Sequence, residues 1–386
     1  DNTEWTLSLR DGVTWSDGEA FTADDVVFSI QLALDNENLS AREASTIRAQ
    51  VASVAKMDDL TVKIMLKQGN PRFAVENFGV RIFGSFLPLP EHVWVGQNPE
   101  EFTFYPPIGT GPYELNSVAS NRAIWDLRDD YWGVETGFVD APEPKRLIWL
   151  ESGGEESRAQ LLSTNQMDIG HSMTLGAFEA VQARNANVTA WTTDLPYAWP
   201  DPCPRQLEFN STVAPWGDPN MREAVNQILD RQQVVDIAYE GITVPSRSLF
   251  VQYGGMEKFI SAIEDAGAGF SASSDVAAGQ ALIEAAGWTK GSDGIYAKDG
   301  ERLSAGIIHK IDPEMDGAVA VIAEQLRRAG IDAKPVPVEN SVFWGSAQPL
   351  GEYELAYTWL GCGSIVEPWT SMARYTASSV VPIGER

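Results

Sequence analysis

Residues 9–29 read LRDGVTWSDGEAFTADDVVFS, and this stretch predicts how the first part of the chain folds. The Asp-Gly pairs at 11–12 and 17–18 predict two tight turns. Thr22 is the expected N-cap of a helix, with Asp25 at the spacing of a capping box. An apolar face follows at Val26, Val27, Ile30 and Leu34. Because Trp5, Leu7 and Leu9 alternate just before it, we expect a strand, two turns and an amphipathic helix.

Composition limits the classes of protein to which the chain can belong. Its 386 residues suggest two or three lobes, and 44% hydrophobic residues suffice for real cores. No stretch approaches the roughly 18 uninterrupted apolar residues of a membrane span. With 28 basic against 54 acidic residues, the net charge is −26. A surface this acidic repels phosphate backbones and anionic lipids, so we reject nucleic-acid and membrane-surface binding.

Strand and helix signals alternate through the chain, which favours an α/β fold. Thr61–Leu66 is rich in β-branched residues and predicts a strand. Two strand–helix–strand units are predicted, at 145–170 and 303–338, each requiring a parallel pair of strands. In the first, the expected segments are Arg146–Leu150 (strand), Ser157–Leu162 (helix) and Met167–Ile169 (strand). Further N-caps are predicted at Asp218, Asp230 and Ser274.

Two Pro-rich segments are predicted to be irregular. Residues 106–113 contain both Pro and Gly and are a candidate crossing between lobes. Residues 196–204 contain four prolines in nine positions, which makes a stiff linker and the clearest lobe boundary.

The residue patterns favour a binding protein over an enzyme. There is no G-x-S-x-G motif, and the Gly-rich segment 109–112 lacks the Lys and Ser/Thr of a phosphate loop. His92, His171 and His309 lack metal-ligand spacing, so we expect no metal and no cofactor. Acidic pairs such as Glu155-Glu156 are typical of solvated surfaces, and a carbohydrate-active enzyme stays a distant alternative.

The stretch at 9–29 closely resembles the signature of the family 5 extracellular solute-binding proteins of ABC importers. This family includes oligopeptide-, dipeptide-, nickel- and cello-oligosaccharide-binding proteins. Further blocks follow in the family's order: PLPEHVW (88–94), PIGTGPY (107–113), RAQLL (158–162) with Asp168-Ile169, LEFN (207–210), MREA (221–224), LDR (229–231), ALIEAAGW (281–288) and QLRRAGI (325–331). The resemblance covers nearly the whole chain.

The resemblance implies a periplasmic-binding-protein-like α/β fold (type II, cluster C), with two α/β core lobes joined by a hinge and an extra α+β lobe. Residues 1–106 would form the extra lobe. Residues 107–200 would belong to the first core lobe. Residues 201–386 would form the second core lobe and start the return to the first. Ligand would bind between the core lobes, which close over it.

The resemblance also implies partners and a cross-link. Taken alone, Cys203 and Cys362 allow either one disulfide or two buried thiols. Some peptide-binding relatives join cysteines at these two places, so we expect a disulfide. A monomeric protein outside the cytoplasm, periplasmic or lipid-anchored, would deliver its ligand to a membrane permease. Family members extend beyond both ends of this sequence, which implies that it is part of a longer protein.

The return segment 359–369, WLGCGSIVEPW, favours an oligosaccharide as the ligand. Peptide-binding relatives hold the ligand's amino group with an Asp in this segment, whereas Glu367 is its only carboxylate here. Peptide and opine ligands are the alternative. Because sugar rings stack on Trp, the predicted ligand-binding residues are Tyr197, Trp199, Asn210, Trp216, Phe343, Trp344, Trp359, Glu367 and Trp369, with Gln206, Glu339 and Asn340 as further polar partners. For Trp216 and Trp359 a core position is an equal alternative.

Overall fold

The computed structural model describes residues 1–37, 39, 42–79, 86–170, 173–194, 197, 200–359, 362, 364–365, 367–377 and 380. The chain forms two compact units, Asp1–Gly154 and Glu155–Arg386. The predicted three-lobe division remains a prediction. Among the described residues, no helix is both long and apolar enough to cross a bilayer.

The described residues of unit 1 form two antiparallel sheets and five helices. Its strands are β1 (Glu4–Ser8), β2 (Val51–Asp58), β3 (Thr61–Leu66), β4 (Tyr113–Ala119), β5 (Arg122–Leu127) and β6 (Arg146–Leu150). Its helices are α1 (Ala23–Asp35), α2 (Arg42–Gln50), α3 (Phe73–Phe78), α4 (Glu91–Trp94) and α5 (Trp132–Glu135). The sheet orders are β1-β3-β2 and β4-β5-β6. The predicted strands at the start and at Thr61–Leu66 are therefore confirmed.

The signature stretch is organised around the carboxylate of Asp25, which is 4% exposed. Thr22 caps α1 and forms the predicted capping box with Asp25. The same carboxylate accepts the indole N–H of Trp15 (3.3 Å) and the backbone N–H of Glu91 (2.9 Å). It therefore joins the turn, the helix and the segment before α4. This explains why an acid is needed at the third position of the helix.

The buried side chain of Arg128 also hydrogen-bonds to the signature stretch. Its side chain is 1% exposed and pairs with Asp130 at 3.1 Å. Its guanidinium also donates to the carbonyl of Trp15 (2.9 Å) and to the hydroxyl of Thr14 (3.3 Å). A buried cation is stable only when its donors are satisfied, and here they bind the turn that precedes α1.

The described residues of unit 2 form a mixed four-stranded sheet and a small three-stranded antiparallel sheet. Its strands are β7 (Arg205–Phe209), β8 (Thr289–Lys290), β9 (Tyr296–Lys298), β10 (Glu301–Arg302), β11 (Ser304–Lys310), β12 (Asp332–Val338) and β13 (Leu355–Trp359). Its helices are α6 (Glu155–Ser163), α7 (Leu175–Arg184), α8 (Pro219–Ile228), α9 (Arg231–Ala238), α10 (Glu257–Asp265), α11 (Val276–Ala285), α12 (Pro313–Ala329), α13 (Asn340–Val342) and α14 (Trp369–Met372), with a π-helical turn at Phe343–Ala347 and a 3-10 turn at Ala373–Tyr375. The four-stranded sheet has the order β12-β11-β13-β7, in which only β7 runs antiparallel. The small sheet has the order β10-β9-β8.

The second predicted strand–helix–strand unit is confirmed as β11, α12 and β12, but the first is wrong in part. Its strand and helix form as β6 and α6. Met167–Ile169 lies in no strand, and Ile169 is 86% exposed. β6 belongs to an antiparallel sheet with β5, so the parallel pairing that the pattern required does not exist. A strand depends on a partner that local sequence does not reveal.

Most predicted helix boundaries are confirmed. Asp218 and Asp230 cap α8 and α9 through their side chains. The cap of α11 is Asp275 and not the predicted Ser274, because the Asp275 carboxylate accepts the N–H of Ala278. The segment 106–112 is irregular, as predicted.

We expect Asp25→Ala to lower the free energy of unfolding by about 3 kcal/mol, because one buried donor (Trp15) and two partly buried donors (Thr22 and Glu91) lose their acceptor. Urea unfolding measures this. The control is Asp24→Ala, which removes a half-exposed neighbour paired with Lys56 and should cost about 1 kcal/mol or less. Equal losses in the two variants would contradict the central role of Asp25.

Candidate functional site

The sheet of unit 2 changes direction at β11. From β11 the chain passes through α12 to β12 on one side, and later reaches β13 on the other side. Such a reversal leaves a crevice at the carboxyl ends of the two strands, where open α/β sheets bind ligands. Lys310 and Trp359 end these strands, and Arg205, the first residue of β7, is paired with Trp359.

A disulfide between Cys203 and Cys362 closes this edge of the sheet, as the resemblance implied. Cys203 precedes β7, and Cys362 follows β13. The cross-link spans 159 residues of sequence. Cross-links that close loops of this length typically stabilise a fold by about 2–4 kcal/mol. Here the bond also holds the ends of β7 and β13 together at the crevice.

The half-buried indole of Trp359 lies at the centre of a group that we call the edge cluster: Arg205, Lys310, Glu314, Trp344 and Trp359. The Arg205 guanidinium lies 5.0 Å from the centre of the Trp359 ring, and the Lys310 ammonium 4.6 Å. The Trp344 ring lies 5.9 Å away at 50°. Cations over indole rings are attracted by the ring quadrupole. The cluster therefore combines a half-buried indole with two cations that lie over its ring.

Carboxylates hold both cations in place. Arg205 donates through Nε to Glu314 (2.6 Å) and through Nη1 to Asp201 (3.1 Å). Burial alone would lower the pKa of Arg205, but the hydrogen bonds and charges of Glu314 and Asp201 outweigh it and raise the pKa. Lys310 pairs with Asp312 at 2.9 Å. Arg205 therefore stays charged, and these pairs hold both side chains beside the ring.

Two tyrosines support the cluster from the core side. The hydroxyl of Tyr239 donates to Glu314 (3.2 Å) and lies 3.0 Å from that of Tyr357. Burial raises the pKa of both phenols, that of Tyr357 to about 12. Both therefore remain neutral hydrogen-bonding groups.

On the opposite face of the same two strands lies a second group, which we call the polar patch: Gln206, Glu208, Thr358 and Tyr375. Gln206 donates to Glu208 (3.1 Å) and to the hydroxyl of Tyr375 (3.2 Å). Thr358 is the cross-strand partner of Gln206, so the two side chains share a face. The Thr358 hydroxyl is buried, with no hydrogen-bond partner among the described residues.

The acid of the polar patch has a shifted pKa. Burial raises the pKa of Glu208 to about 7, against the opposing effects of hydrogen bonds from Gln206 and Gln348 and the positive charge of Arg374. At neutral pH this carboxyl is therefore close to half protonated.

Three of the predicted site residues are engaged within the fold. Trp216 and Phe343 are 0% and 1% exposed and lie in hydrophobic clusters, so neither presents a face to solvent. Asn210 is 8% exposed; its amide nitrogen donates to the carbonyls of Gly351 and Tyr353. Its oxygen accepts two bonds from Thr212. A ligand would have to displace one of these bonds.

The remaining predicted residues differ in how they are placed. Trp344 and Trp359 meet in the edge cluster. Glu367 accepts the backbone N–H of Trp369 at 2.7 Å, where α14 begins, and Trp369 itself is 48% exposed. The backbone N–H of Tyr197 donates to the carbonyl of Ile242. Trp199 lies outside the described residues.

Sequence reasoning missed the charged and polar residues that surround the aromatic pair: Arg205, Lys310, Glu208 and Thr358. Of the polar partners that the sequence suggested, Gln206 lies in the polar patch. Their position in the sheet could have identified them, because all four lie on β7, β11 or β13, the strands around the direction change of the sheet.

Other features of the surface are weaker candidates for a ligand site. An open groove of about 630 Å³ runs beside α9, lined by Asp230, Gln233 and Ile237 among others. It has no aromatic lining, and it lies away from the carboxyl ends of the strands. Within the described ranges, no group of three or more His, Cys, Asp or Glu residues is placed to hold a metal.

Comparison with known proteins agrees with this architecture, which is that of a type II binding-protein fold. The sequence profile described as "Bacterial extracellular solute-binding proteins, family 5 Middle" matches residues 1–381. The chain belongs to this family. It is 29% identical to protein XP55 of Streptomyces lividans over 343 residues, which are 85% of this chain and 55% of XP55.

Two solved structures show the same fold. One is a periplasmic oligopeptide-binding protein of Thermotoga maritima with bound mannohexaose: TM-score 0.83, 22% identity, covering 99% of this chain and 70% of that one. The other is the oligopeptide-binding protein AppA of Bacillus subtilis with a nonapeptide: TM-score 0.75, 19% identity, covering 95% and 69%. The chain spans about half the length of the curated relatives it matches, from 44% to 61%.

We expect the raised pKa of Glu208 to make the protein less stable as pH rises. The native state holds this proton more tightly than the unfolded chain, so between the ordinary value of 4.5 and about 7 it binds more protons. The contribution of Glu208 to the free energy of unfolding is therefore complete at low pH and is lost as the pH rises from 4.5 to about 7. As the pH rises from about 5 to about 8, the free energy of unfolding of Glu208→Gln should fall by about 2 kcal/mol less than that of the wild type. Urea unfolding at each pH measures this.

The control for this measurement is Glu352→Gln, which neutralises an exposed acid on the segment before β13. This variant should follow the wild type. If Glu208→Gln follows it as well, the carboxyl does not titrate in this window.

Proposed function

We propose that this chain is the ligand-capturing part of an ABC importer's solute-binding protein, and that its ligand is an oligosaccharide. Membership of the family supports the first part. The edge cluster carries the second, because it places the half-buried Trp359, beside Trp344, at the direction change of the sheet. There the strand ends provide a crevice for a ligand.

The chemistry of the edge cluster suits a sugar. A pyranose ring has an apolar face that packs on indole, and its rim of hydroxyls needs donors and acceptors. Arg205, Lys310 and Glu314 supply both kinds beside the Trp359 ring. Glu314 and Asp201 pair with Arg205, and Asp312 pairs with Lys310, so carboxylates offset both cations, which suits a neutral ligand. A relative of the same fold holds mannohexaose.

Binding and release, without chemistry on the ligand, are what this arrangement supports. The family consists of extracellular solute-binding proteins, so we place the protein outside the cytoplasm, where it passes its ligand to a membrane permease. Ligand would shift the protein toward the conformation that contacts the ligand most fully. The permease would then recognise that conformation.

A peptide is the second candidate, and the two cations of the edge cluster favour it. Arg205 and Lys310 could pair with a ligand carboxylate, and AppA of Bacillus subtilis, which shares the fold, binds a nonapeptide. However, both cations are already paired, with Glu314 and Asp312 respectively. A peptide carboxylate would have to compete with these bonds.

A thermal-shift screen separates the two candidates. The full chain is heated with cello-, xylo- and manno-oligosaccharides and, in parallel, with di- to pentapeptides. A ligand at about 100 times its Kd stabilises the folded state by about 2.7 kcal/mol, so its class shows as a raised Tm. We expect a shift with one saccharide series. A shift with peptides alone would contradict the oligosaccharide proposal.

Replacing Trp359 with Ala should weaken saccharide binding more than tenfold, or by about 1.4 kcal/mol or more, because the sugar loses its stacking surface. Isothermal titration measures the Kd. The matched control is Trp191→Ala, which removes an indole that is 87% exposed in the same unit and should leave the Kd unchanged. Unchanged affinity with lowered stability would make Trp359 a core residue.

A further inference from the structure

The hydroxyl of Thr358 is an unusual feature of the sheet edge. Thr358 is 1% exposed, and its Oγ1 has no hydrogen-bond partner among the described residues. A buried hydroxyl without a partner is destabilising, so native proteins nearly always satisfy such groups. One that persists at a binding edge points to a partner that is absent from the folded chain itself.

The groups around this hydroxyl share one chemical property. The amide of Gln206 and the hydroxyls of Thr358 and Tyr375 are neutral, and each can both donate and accept a hydrogen bond. A protonated Glu208 carboxyl has the same property. The hydroxyl of a sugar has matching requirements, since it too donates and accepts. The polar patch is therefore complementary to a neutral ligand rich in hydroxyls.

We propose that the polar patch is a ligand subsite in which Thr358 and Glu208 hydrogen-bond the hydroxyls of a neutral saccharide. The inference rests on the proposed function and specifies which residues beyond the aromatic pair select the ligand. β7 and β13 carry both groups, with Trp359 and Arg205 alternating with Thr358 and Gln206 at the same strand ends. The two groups therefore lie at the ends of the same two strands.

The charges that face Glu208 disfavour a cationic ligand. The titratable or charged neighbours are Arg374, Tyr375 and Tyr353. Both tyrosines have a pKa raised by burial and stay neutral, so Arg374 is the charged neighbour. An ammonium group would meet this cation and would need an ionised Glu208. A hydroxyl needs neither condition.

The pH dependence of binding distinguishes the two ligand classes. A neutral ligand that covers the patch displaces water from Glu208 and so favours its protonated form. Its affinity should fall as pH rises through about 7, the pKa to which burial raises this carboxyl. An ammonium ligand favours the ionised form, and its affinity should rise over the same range.

The test is isothermal titration of the full chain with the saccharide that gives the largest shift in the cello-, xylo- and manno-oligosaccharide screen. The variants are Thr358→Val, Thr358→Ser, Glu208→Gln and the control Glu352→Gln. Thr358→Val should bind about tenfold more weakly, whereas Thr358→Ser and the control should bind like the wild type. Glu208→Gln should remove the fall in affinity between about pH 6 and pH 8.

Stability separates a binding role from a structural one. Because the Thr358 hydroxyl has no partner among the described residues, Thr358→Val should keep or raise the Tm of the free protein. If Trp359→Ala loses binding while Thr358→Val and Glu208→Gln bind like the wild type at every pH, the subsite is refuted and the proposed function stands. If no saccharide binds, the proposed function fails and this inference fails with it.

Discussion

The antiparallel pairing of β13 with β7 is the interaction on which the candidate site depends. Along this pair, Trp359 lies opposite Arg205, and Thr358 lies opposite Gln206. Since side chains alternate across a strand, one pairing register fixes both the edge cluster and the polar patch. A slip of one residue would exchange their faces. The disulfide at the ends of the two strands opposes such a slip.

Charged groups add to the effect of the strand pairing at the candidate site. The net charge of the chain is −26, yet the edge of the sheet holds two cations over an indole ring. They remain there because Glu314, Asp201 and Asp312 pair with them. Charges that are fixed by partners cost little reorganisation when a ligand arrives. On the opposite face, burial raises the pKa of Glu208 to about 7, so the two faces offer a ligand different chemistry.

The sequence predicted correctly the features that depend only on residues close together in the chain. The capping box at Thr22 and the caps at Asp218 and Asp230 formed as expected, because a cap requires only its own helix. The Cys203–Cys362 disulfide followed from the family resemblance and not from the sequence pattern alone. The strand expected at Met167–Ile169 did not form, because a strand needs a partner. Asp275 replaced Ser274 as a cap, since one residue of difference decides which side chain reaches the free N–H groups.

The site itself was predicted only in part, for a physical reason. Trp344 and Trp359 were recognisable by their chemistry, whereas Trp216 shares that chemistry and lies in the core. Composition cannot separate a buried indole from an accessible one. Arg205 and Lys310 look like ordinary surface charges in the sequence. Thr358 becomes a candidate only because it is buried and its hydroxyl has no hydrogen-bond partner among the described residues. Both properties depend on the tertiary structure.

The crystal structure of the protein with its bound saccharide tests the central claim most directly. The account predicts a sugar ring packed on the Trp359 indole, with a hydroxyl of the ligand within hydrogen-bonding distance of Thr358 Oγ1. A ligand bound elsewhere, with the Trp359 ring enclosed by protein and the Thr358 hydroxyl still without a partner, would contradict it.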